Sequence, residues 1–321
     1  MRFGDQNLDA LRNLGNVVLN ETDNALTTDQ LIQVAKGCEV ILSERLTPGE
    51  ARLFDNSPDL IAFVRSVTDM KLVDVVAASR NGILVAAVDA AFVPAVVEWT
   101  VAQMINLGRL LPRFIMAYRA GRIPDLSLGW EGKQLAGKIA GIIGFGRLGR
   151  RLAEVLGALE MRVLVFDPYV EEWPEVVDRV DLDELAMTSD FLICMATHTE
   201  ETENMVNASV FRRMKPSAFF VNPSRSGLVD ETALEKALSN GQIAGAALDV
   251  GSEVGDIPPL RLGRLPNVLA TPHVAAGFES NLDQGRQAVE MVAEILHGRI
   301  PEGALNRKQA IRMSRLSGGA R

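Results

Sequence analysis

The 321-residue chain contains only two cysteines, Cys38 and Cys194, and each lies in an apolar stretch. Two isolated thiols provide neither the ligands of a structural zinc site nor a disulfide framework. We therefore expect both cysteines to be free and buried, and we predict no metal site. Free thiols are typical of a reducing compartment, so we predict a cytoplasmic protein.

Long apolar runs and an excess of positive charge are also absent. No segment approaches the ~18 consecutive apolar residues of a membrane span, and the first residues contain no apolar signal region. The chain carries 33 Lys and Arg against 41 Asp and Glu, a net charge of −8. Because an acidic surface is unfavourable for non-specific binding to nucleic acid or anionic lipid, we expect neither partner. A small molecule is the expected ligand.

Short apolar runs alternate with helical patterns along the whole chain. In the first hundred residues the runs are VVLN, EVILSE, IAFVRS and ILVAAV, and a second series of six begins at KIAGIIG and ends at NVLATPHV. Alternation at this spacing predicts strands of parallel sheets joined by crossover helices. Since the chain is too long for one ordinary core, we predict two α/β domains.

The second series begins with the glycine-rich sequence GFGRLG, which contains Gly144, Gly146 and Gly149. In such a strand–loop–helix unit the first glycine permits a tight turn, the second lets the backbone approach a pyrophosphate, and the third lets the helix pack closely. Asp167 ends the next strand, near the spacing of about 20 residues expected for a carboxylate on ribose hydroxyls. Asp167 and Pro168 could also simply start a turn. The context favours a dinucleotide site, and the acid predicts NAD rather than NADP.

Two further side chains follow predicted strands, at the edge where α/β sheets bind ligands. Arg225 follows FFVN, and a guanidinium there could hold a carboxylate through two hydrogen bonds while polarising a keto oxygen. The alternative is a surface ion pair with Asp230 or Glu231. His273 follows NVLATP, and an imidazole can donate the proton that ketone reduction requires. The alternative is a purely structural histidine.

Taken in order, GIIGFGRLG, VNPSRSGLVDETAL, AALDV and ATPHVAAG resemble the D-isomer-specific 2-hydroxyacid dehydrogenase family, including its phosphoglycerate dehydrogenase-like and hydroxypyruvate reductase-like branch. The resemblance covers nearly the whole chain. It implies two Rossmann-like doubly wound parallel-sheet domains with the active site in the cleft between them, NAD as cofactor, a 2-hydroxy or 2-keto acid as substrate, and a homodimer. With a last helix expected to pack back on the first domain, we predict a discontinuous substrate domain, residues 1–98 plus 275–321, and an NAD-binding domain, residues 99–274.

The resemblance also implies the roles of individual residues. Arg225 corresponds to the substrate-binding arginine, His273 to the acid/base histidine, and Glu253 is the candidate for the catalytic glutamate. The residues expected to contact the cofactor are Gly144, Gly146, Arg147, Leu148, Gly149, Asp167, Pro223, Ser224, Arg225, Asp249 and His273. Asp249 could instead be a cap at the end of its strand.

The chain departs from the family pattern at the glutamate. The family has it five residues after the aspartate of the ALDV-like motif, where this chain has Val254, and Glu253 comes one position earlier. Flanking glycines could absorb the shift, and Asp256 is another acid that could reach inward. If neither acid contacts His273, we expect the pH optimum of reduction to move down.

A second departure lies in the expected substrate loop, Val67, Thr68 and Asp69, where Val67 and Asp69 replace glycines whose amides would bind the substrate carboxylate. The Asp69 carboxylate either faces the substrate, which it would disfavour, or faces water.

We predict an NAD-dependent oxidoreductase that interconverts a D-2-hydroxy acid and a 2-keto acid, with Arg225 binding and polarising the substrate and His273 as acid/base. The alternative, motivated by the two departures, is a non-catalytic NAD(H)-sensing regulatory protein on the same scaffold. An NADP-linked reductase is a third hypothesis, which Asp167 opposes.

Overall fold

The computed structural model describes residues 4–22, 24–124 and 132–316. The strands in these ranges are β1 (Val40–Ser43), β2 (Ala62–Arg65), β3 (Leu84–Ala87), β4 (Ile139–Ile143), β5 (Arg162–Phe166), β6 (Asp178–Arg179), β7 (Phe191–Cys194), β8 (Phe219–Asn222), β9 (Gly245–Leu248) and β10 (Val268–Ala270). The helices are α1 (Asp5–Leu14), α2 (Thr28–Val34), α3 (Ala51–Asp55), α4 (Val75–Arg80), α5 (Val93–Arg109), α6 (Leu111–Arg119), α7 (Arg147–Ala158), α8 (Leu182–Thr188), α9 (Ala208–Arg213), α10 (Glu231–Ser239), α11 (Leu260–Gly263) and α12 (Gly277–Leu296). Short 3₁₀ helices cover Ser226–Leu228, Arg307–Gln309 and Ile311–Arg315.

The chain divides into two compact units. The first consists of Met1–Phe92 and Phe278–Arg321, and the second is the continuous segment Val93–Gly277. The first break falls where α5 begins, so this helix belongs as a whole to the second unit.

The first unit contains a parallel sheet with the strand order β1-β2-β3. All four residues of β2 are buried, because helices cover both faces of the sheet, as is usual for parallel strands. One face packs against Leu53, Phe54 and neighbouring apolar residues, and the other packs against Val292 and Ile295 of α12.

The apolar run VVLN, residues 17–20, forms no strand. Val17 and Val18 are exposed, with 62% of Val18 accessible to solvent. Because a run of four residues is a strand only if a neighbouring strand accepts its hydrogen bonds, the expectation from apolar character alone is wrong here.

The second unit contains a seven-stranded parallel sheet with the order β10-β9-β8-β7-β4-β5-β6. The first strand of this unit, β4, lies inside the sheet. Strands β5 and β6 follow on one side of it, and β7 to β10 are then added on the other side. This reversal is the switch point of a doubly wound sheet, where ligands bind at the carboxyl ends of the strands. The six predicted strands are all present, and the two-residue β6 is an addition.

The helical stretch predicted between Val93 and Tyr118 is two helices, α5 and α6. The break is at Leu110, which has a φ of 54°. Pro112 causes it, since its ring would clash with the carbonyl group of Gly108 in a continuous helix. Helix α5 packs against α7, β8 and β9.

Candidate active site

The loop between β4 and α7 has the geometry of a dinucleotide-binding turn. Gly144 has a φ of 93°, and a Cβ on it would lie 2.6 Å from the backbone nitrogen of Ala196, two residues beyond the end of the neighbouring strand β7. A Cβ on Gly149 would collide with the carbonyl oxygen of Gly144, so helix and loop are in direct backbone contact. Gly146 precedes the first residue of α7, and a Cβ there would meet open space. The backbone amides at the start of α7 therefore face an accessible region. Arg147 and Leu148, which form the first turn of the helix, follow directly.

The Asp167 carboxylate is fixed beside this loop. Its Oδ2 accepts a hydrogen bond from the amide of Phe145 at 2.7 Å, and its Oδ1 accepts one from the amide of Tyr169 at 2.9 Å. Since each carboxylate oxygen can accept two hydrogen bonds, the group retains capacity for a ligand. Asp167 also borders a cavity of about 390 Å³. The cavity is lined by Phe166, Asp167, Pro168, Arg179, Val180, Asp181 and Glu184.

Two aromatic rings that we did not identify from the sequence brace the glycine loop. Phe145 stacks on Trp173 with 5.4 Å between ring centroids and 8° between planes. The Arg150 guanidinium lies 4.6 Å from the Phe145 centroid, and that of Arg179 lies 5.3 Å from the Trp173 centroid. The sequence offered one sign of this contact, which is the position of Phe145 between two loop glycines, because an aromatic ring there must pack against another group. Its partner lies outside the glycine motif, and its contact with Phe145 could not be deduced.

The turn that follows β8 presents Arg225 to solvent. Asn222 shapes the turn, because its Oδ1 accepts from the Ser224 amide at 3.1 Å and its Nδ2 donates to the Arg225 carbonyl at 3.0 Å. The Ser224 hydroxyl donates to the carbonyl oxygen of Cys194 at 2.7 Å, which ties the turn to the end of β7. Pro223 and Ser224 are both buried.

Burial also raises the pKa of the free Cys194 thiol to about 12.

The Arg225 guanidinium is not used in an ion pair within the described part of the chain. Its Nη1 donates to the carbonyl oxygen of Ser224 at 2.6 Å. The two acids considered as partners are engaged elsewhere: Asp230 caps α10 through the amide of Ala233, and Glu231 pairs with Arg261 at 3.0 Å. The exposed guanidinium therefore remains able to bind an anionic ligand.

His273 lies in the turn after β10 and has a φ of 54°, which is unusual for a residue with a side chain. Its ring Nδ1 lies 3.2 Å from the carbonyl oxygen of Gly255. A carbonyl oxygen only accepts hydrogen bonds, so this contact requires the hydrogen on Nδ1. The ring atom left for proton exchange is Nε2.

Neither acid of the preceding loop is hydrogen-bonded to His273 in the described structure. The Glu253 side chain is exposed, and its amide donates to the Ile257 carbonyl oxygen at 3.1 Å. The amide and hydroxyl of Ser252 both donate to the Glu231 carboxylate, which holds the base of the loop. The structure thus does not bring Glu253 or Asp256 to the imidazole.

Asp249, at the end of β9, is inaccessible to solvent. Its carboxylate accepts hydrogen bonds from the hydroxyl of Thr271 and the amides of Val274 and Ala275. This geometry matches the strand-end cap that we considered as the alternative to a cofactor contact.

The expected substrate loop belongs to the first unit. The Asp69 carboxylate accepts from the Lys71 amide at 2.9 Å and lies 3.7 Å from the Arg45 guanidinium, so its charge is partly neutralised. Among the described residues, none accepts a hydrogen bond from the amides of Val67, Thr68 or Asp69. These amides remain available to an anion.

The fully buried Arg65 holds this loop, a role that we did not predict. Its Nε donates to the carbonyl oxygen of Asp69 at 3.0 Å, and its terminal nitrogens donate to the carbonyl oxygens of Glu44, Arg45 and Thr47. Burial lowers the pKa of Arg65, and the charge of Asp69 opposes this shift. Four carbonyl groups from two loops therefore converge on one cation.

Two negative findings apply to the described ranges. They contain no group of three His, Cys, Asp or Glu side chains arranged to hold a metal ion. Likewise, none of their helices is long and apolar enough to cross a membrane.

Comparison with known sequences identifies relatives that cover most of the chain. Residues 101–275 match the family model for the NAD binding domain of D-isomer specific 2-hydroxyacid dehydrogenases. A glyoxylate reductase from Korarchaeum cryptofilum is 32% identical over 290 residues, which cover 87% of this chain and 86% of the relative. A hydroxypyruvate reductase from Thermotoga maritima is 30% identical over 279 residues, which cover 86% and 90%. A D-3-phosphoglycerate dehydrogenase from Archaeoglobus fulgidus is 31% identical over 313 residues and 95% of this chain, but the chain spans only 58% of that longer relative.

Solved structures with a similar fold also cover most of the chain. The TT0316 protein from Thermus thermophilus superposes with a TM-score of 0.80 at 27% identity, covering 94% of this chain and 97% of the other. The apo-structure of D-lactate dehydrogenase from Escherichia coli superposes with a TM-score of 0.73 at 26% identity, covering 95% and 98%.

Proposed function

Because the chain belongs to the D-isomer-specific 2-hydroxyacid dehydrogenase family, we propose that it is an NAD-dependent oxidoreductase that interconverts a D-2-hydroxy acid and a 2-keto acid. One observation carries the proposal. A pyrophosphate-type glycine loop, an exposed guanidinium without an ion pair in the described structure and a histidine with a free Nε2 all follow strands at the carboxyl edge of the same parallel sheet.

In the direction of reduction, the exposed Arg225 guanidinium binds the substrate carboxylate and polarises the adjacent keto group. NADH, when bound, supplies the hydride that adds to the keto carbon. The developing negative charge on the keto oxygen is neutralised by a proton from Nε2 of His273, which gives the 2-hydroxy acid and NAD⁺. In oxidation, the same Nε2 accepts the proton of the hydroxyl group.

The cofactor site is formed by the residues around the glycine loop. The amides at the start of α7 would bind the pyrophosphate, and the cavity beside Asp167 would take the adenosine end, where the carboxylate would accept hydrogen bonds from the ribose hydroxyls. Asp167 favours NAD because a 2′-phosphate would approach a fixed negative charge. Pro223, Ser224 and Asp249 are proposed to lie near the nicotinamide, although the buried position of Asp249 limits it to an indirect contribution.

The loop Val67–Asp69 is proposed to bind the substrate anion through its backbone. Three consecutive amides without acceptors in the described structure support this role, and the pairing of Asp69 with Arg45 reduces the repulsion that an aspartate would cause. No glycine is needed at these positions if the backbone already has the required conformation.

The test is the oxidation of NADH, followed by its absorbance, with glyoxylate, hydroxypyruvate, pyruvate, phenylpyruvate and a cationic 2-keto acid as substrates. We expect turnover with at least one of them and none with His273→Ala, which should still bind NADH. A His273→Ala variant with wild-type turnover would refute the role of the histidine. Binding of NADH without oxidation of any substrate would instead indicate an NAD(H)-sensing protein.

We also propose that the protein is a homodimer in which α6 packs against a second copy. Leu111, Ile115 and Tyr118 recur at helical spacing on α6 and are exposed, as is Met116, so the helix presents an apolar face to solvent. Light scattering should give twice the chain mass for the wild-type protein and the chain mass for Ile115→Glu. A wild-type monomer would contradict the proposal.

A cytoplasmic location is proposed from the thiols. Cys38 and Cys194 are both free in the structure, although Cys38 is only partly buried, and unpaired thiols persist in a reducing compartment. Fractionation of cells that contain a tagged form of the protein tests this location, since the tag should be detected in the cytoplasmic fraction.

A further inference from the structure

We infer that Asp249 is a positioning residue, whose buried carboxylate holds the turn that carries His273. The inference rests on the proposed function, because it assigns His273 to proton transfer. Asp249 acts through the backbone and side chains of residues 271–275 and has no contact with the substrate in this role.

Three hydrogen bonds from this turn hold the carboxylate. Its Oδ1 accepts from the Thr271 hydroxyl at 2.6 Å and from the Val274 amide at 2.9 Å, and its Oδ2 accepts from the Ala275 amide at 2.7 Å. The Asp249 carbonyl oxygen also accepts from the His273 amide at 2.8 Å. One residue therefore binds the turn on both sides of the histidine and at the histidine itself.

Burial makes these hydrogen bonds necessary. Asp249 has no solvent exposure, and a carboxylate in such a position is costly unless several donors surround it. Two of the donors are backbone amides, which would themselves need other partners if the carboxylate were removed. The turn and the carboxylate thus stabilise one another.

The backbone of His273 needs this support. Its φ of 54° is in the left-handed region, which residues other than glycine adopt only when their surroundings enforce it. Held in this conformation, the imidazole has its Nδ1 3.2 Å from the Gly255 carbonyl oxygen. A relaxed turn would lose that contact and with it the direction of Nε2.

Thr271 links the carboxylate to helix α5. The indole Nε1 of Trp99, on α5, donates to the Thr271 hydroxyl at 3.1 Å, and the hydroxyl in turn donates to Asp249. Helix α5 packs against β8 and β9, so the turn is fixed to the same elements that carry Arg225 and Asp249.

The test uses the pair Thr271→Val and Thr271→Ser. Valine keeps the branched shape of threonine but removes the hydroxyl, whereas serine keeps the hydroxyl and loses only a methyl group. We expect kcat to fall at least about tenfold in Thr271→Val, as is typical for loss of a hydrogen bond to a charged group, and to stay within about twofold in Thr271→Ser. The Kd for NADH should be unchanged in both. Asp249→Asn should lower kcat further, because its amide group would oppose a backbone donor.

A measurement independent of turnover separates this inference from the proposed function. Nitrogen-15 NMR of the three imidazoles, with His273 assigned from its substitution, should show a displaced His273 signal in Thr271→Val and unchanged signals for His198 and His297. If the wild-type protein reduces no 2-keto acid, the proposed function fails while the NMR result still tests the positioning role. Wild-type kcat and an unmoved His273 signal in Thr271→Val would overturn the inference. Loss of NADH affinity in Thr271→Val would also overturn it, in favour of a direct role of Asp249 at the cofactor.

Discussion

The imidazole Nδ1 of His273 lies 3.2 Å from the backbone carbonyl oxygen of Gly255. The carbonyl group orients the ring and fixes its hydrogen on Nδ1, which leaves Nε2 for the proposed proton transfer. A carboxylate in this position would orient the ring in the same way and would also place a full negative charge beside it. In this chain the backbone of the loop after β9 supplies the orientation, and Glu253 remains exposed.

We therefore predict that Glu253→Gln keeps kcat within about twofold of the wild-type value, because the substitution leaves the Gly255 carbonyl in place. Steady-state kinetics with the best 2-keto acid of the panel measures the effect. His273→Asn is the control, since it retains a side chain of similar reach but cannot donate a proton as imidazolium. A tenfold fall in kcat for Glu253→Gln would restore this residue as the orienting acid.

Cofactor preference should depend on Asp167. In Asp167→Asn the negative charge beside the cavity is lost while one oxygen acceptor is kept, so we expect NADPH affinity to rise about tenfold and NADH affinity to change less. Fluorescence titration of both nucleotides gives the two Kd values. Asp178→Asn, on the adjacent strand β6, removes the same charge from a residue that does not line the cavity. An equal gain in NADPH affinity there would show that only net charge matters.

Arg65 should contribute strongly to stability. Arg65→Met leaves the carbonyl oxygens of Glu44, Arg45, Thr47 and Asp69 without their buried donor, so we expect the free energy of unfolding to fall by about 3 kcal/mol. Urea unfolding measures this change. Arg52→Met is the matched control: Arg52 forms an exposed ion pair with Asp29, and its loss should cost less than about 1 kcal/mol. Equal losses in the two variants would exclude the proposed bracing.

Stability above pH 8 should depend on Cys194. Burial raises the pKa of this thiol from 9.0 to about 12, so the folded state keeps the proton where the unfolded state begins to lose it. The contribution of the protonated thiol to the free energy of unfolding is fully present below pH 9 and is lost progressively as the pH rises toward 12. Between pH 8 and pH 10 we expect the wild-type protein to lose about 1 kcal/mol more than Cys194→Ala, measured by urea unfolding at each pH. If the free energy of unfolding changed with pH in the same way in the two proteins, the raised pKa of Cys194 would be contradicted.

Local patterns in the sequence were sufficient for much of the fold. Apolar runs alternating with helical segments predicted the parallel sheets, and the six strands of the second series are present in order. The roles of Gly144 and Gly149 could also be predicted, since a positive φ and a close backbone contact each exclude a side chain. The run VVLN failed as a strand because strand formation requires a partner, which a local pattern does not specify.

The site shows the same division. Sequence by itself determined which residues follow which strands, because motif spacing fixes the strand ends at which Gly144, Asp167, Arg225 and His273 lie. Only the tertiary structure decided what those residues contact. The Gly255 carbonyl beside His273, the turn around Asp249 and the ring of Trp173 against Phe145 join residues between 18 and 28 positions apart in the chain. Such contacts depend on where loops return in space, and on which buried groups must find hydrogen-bond partners there.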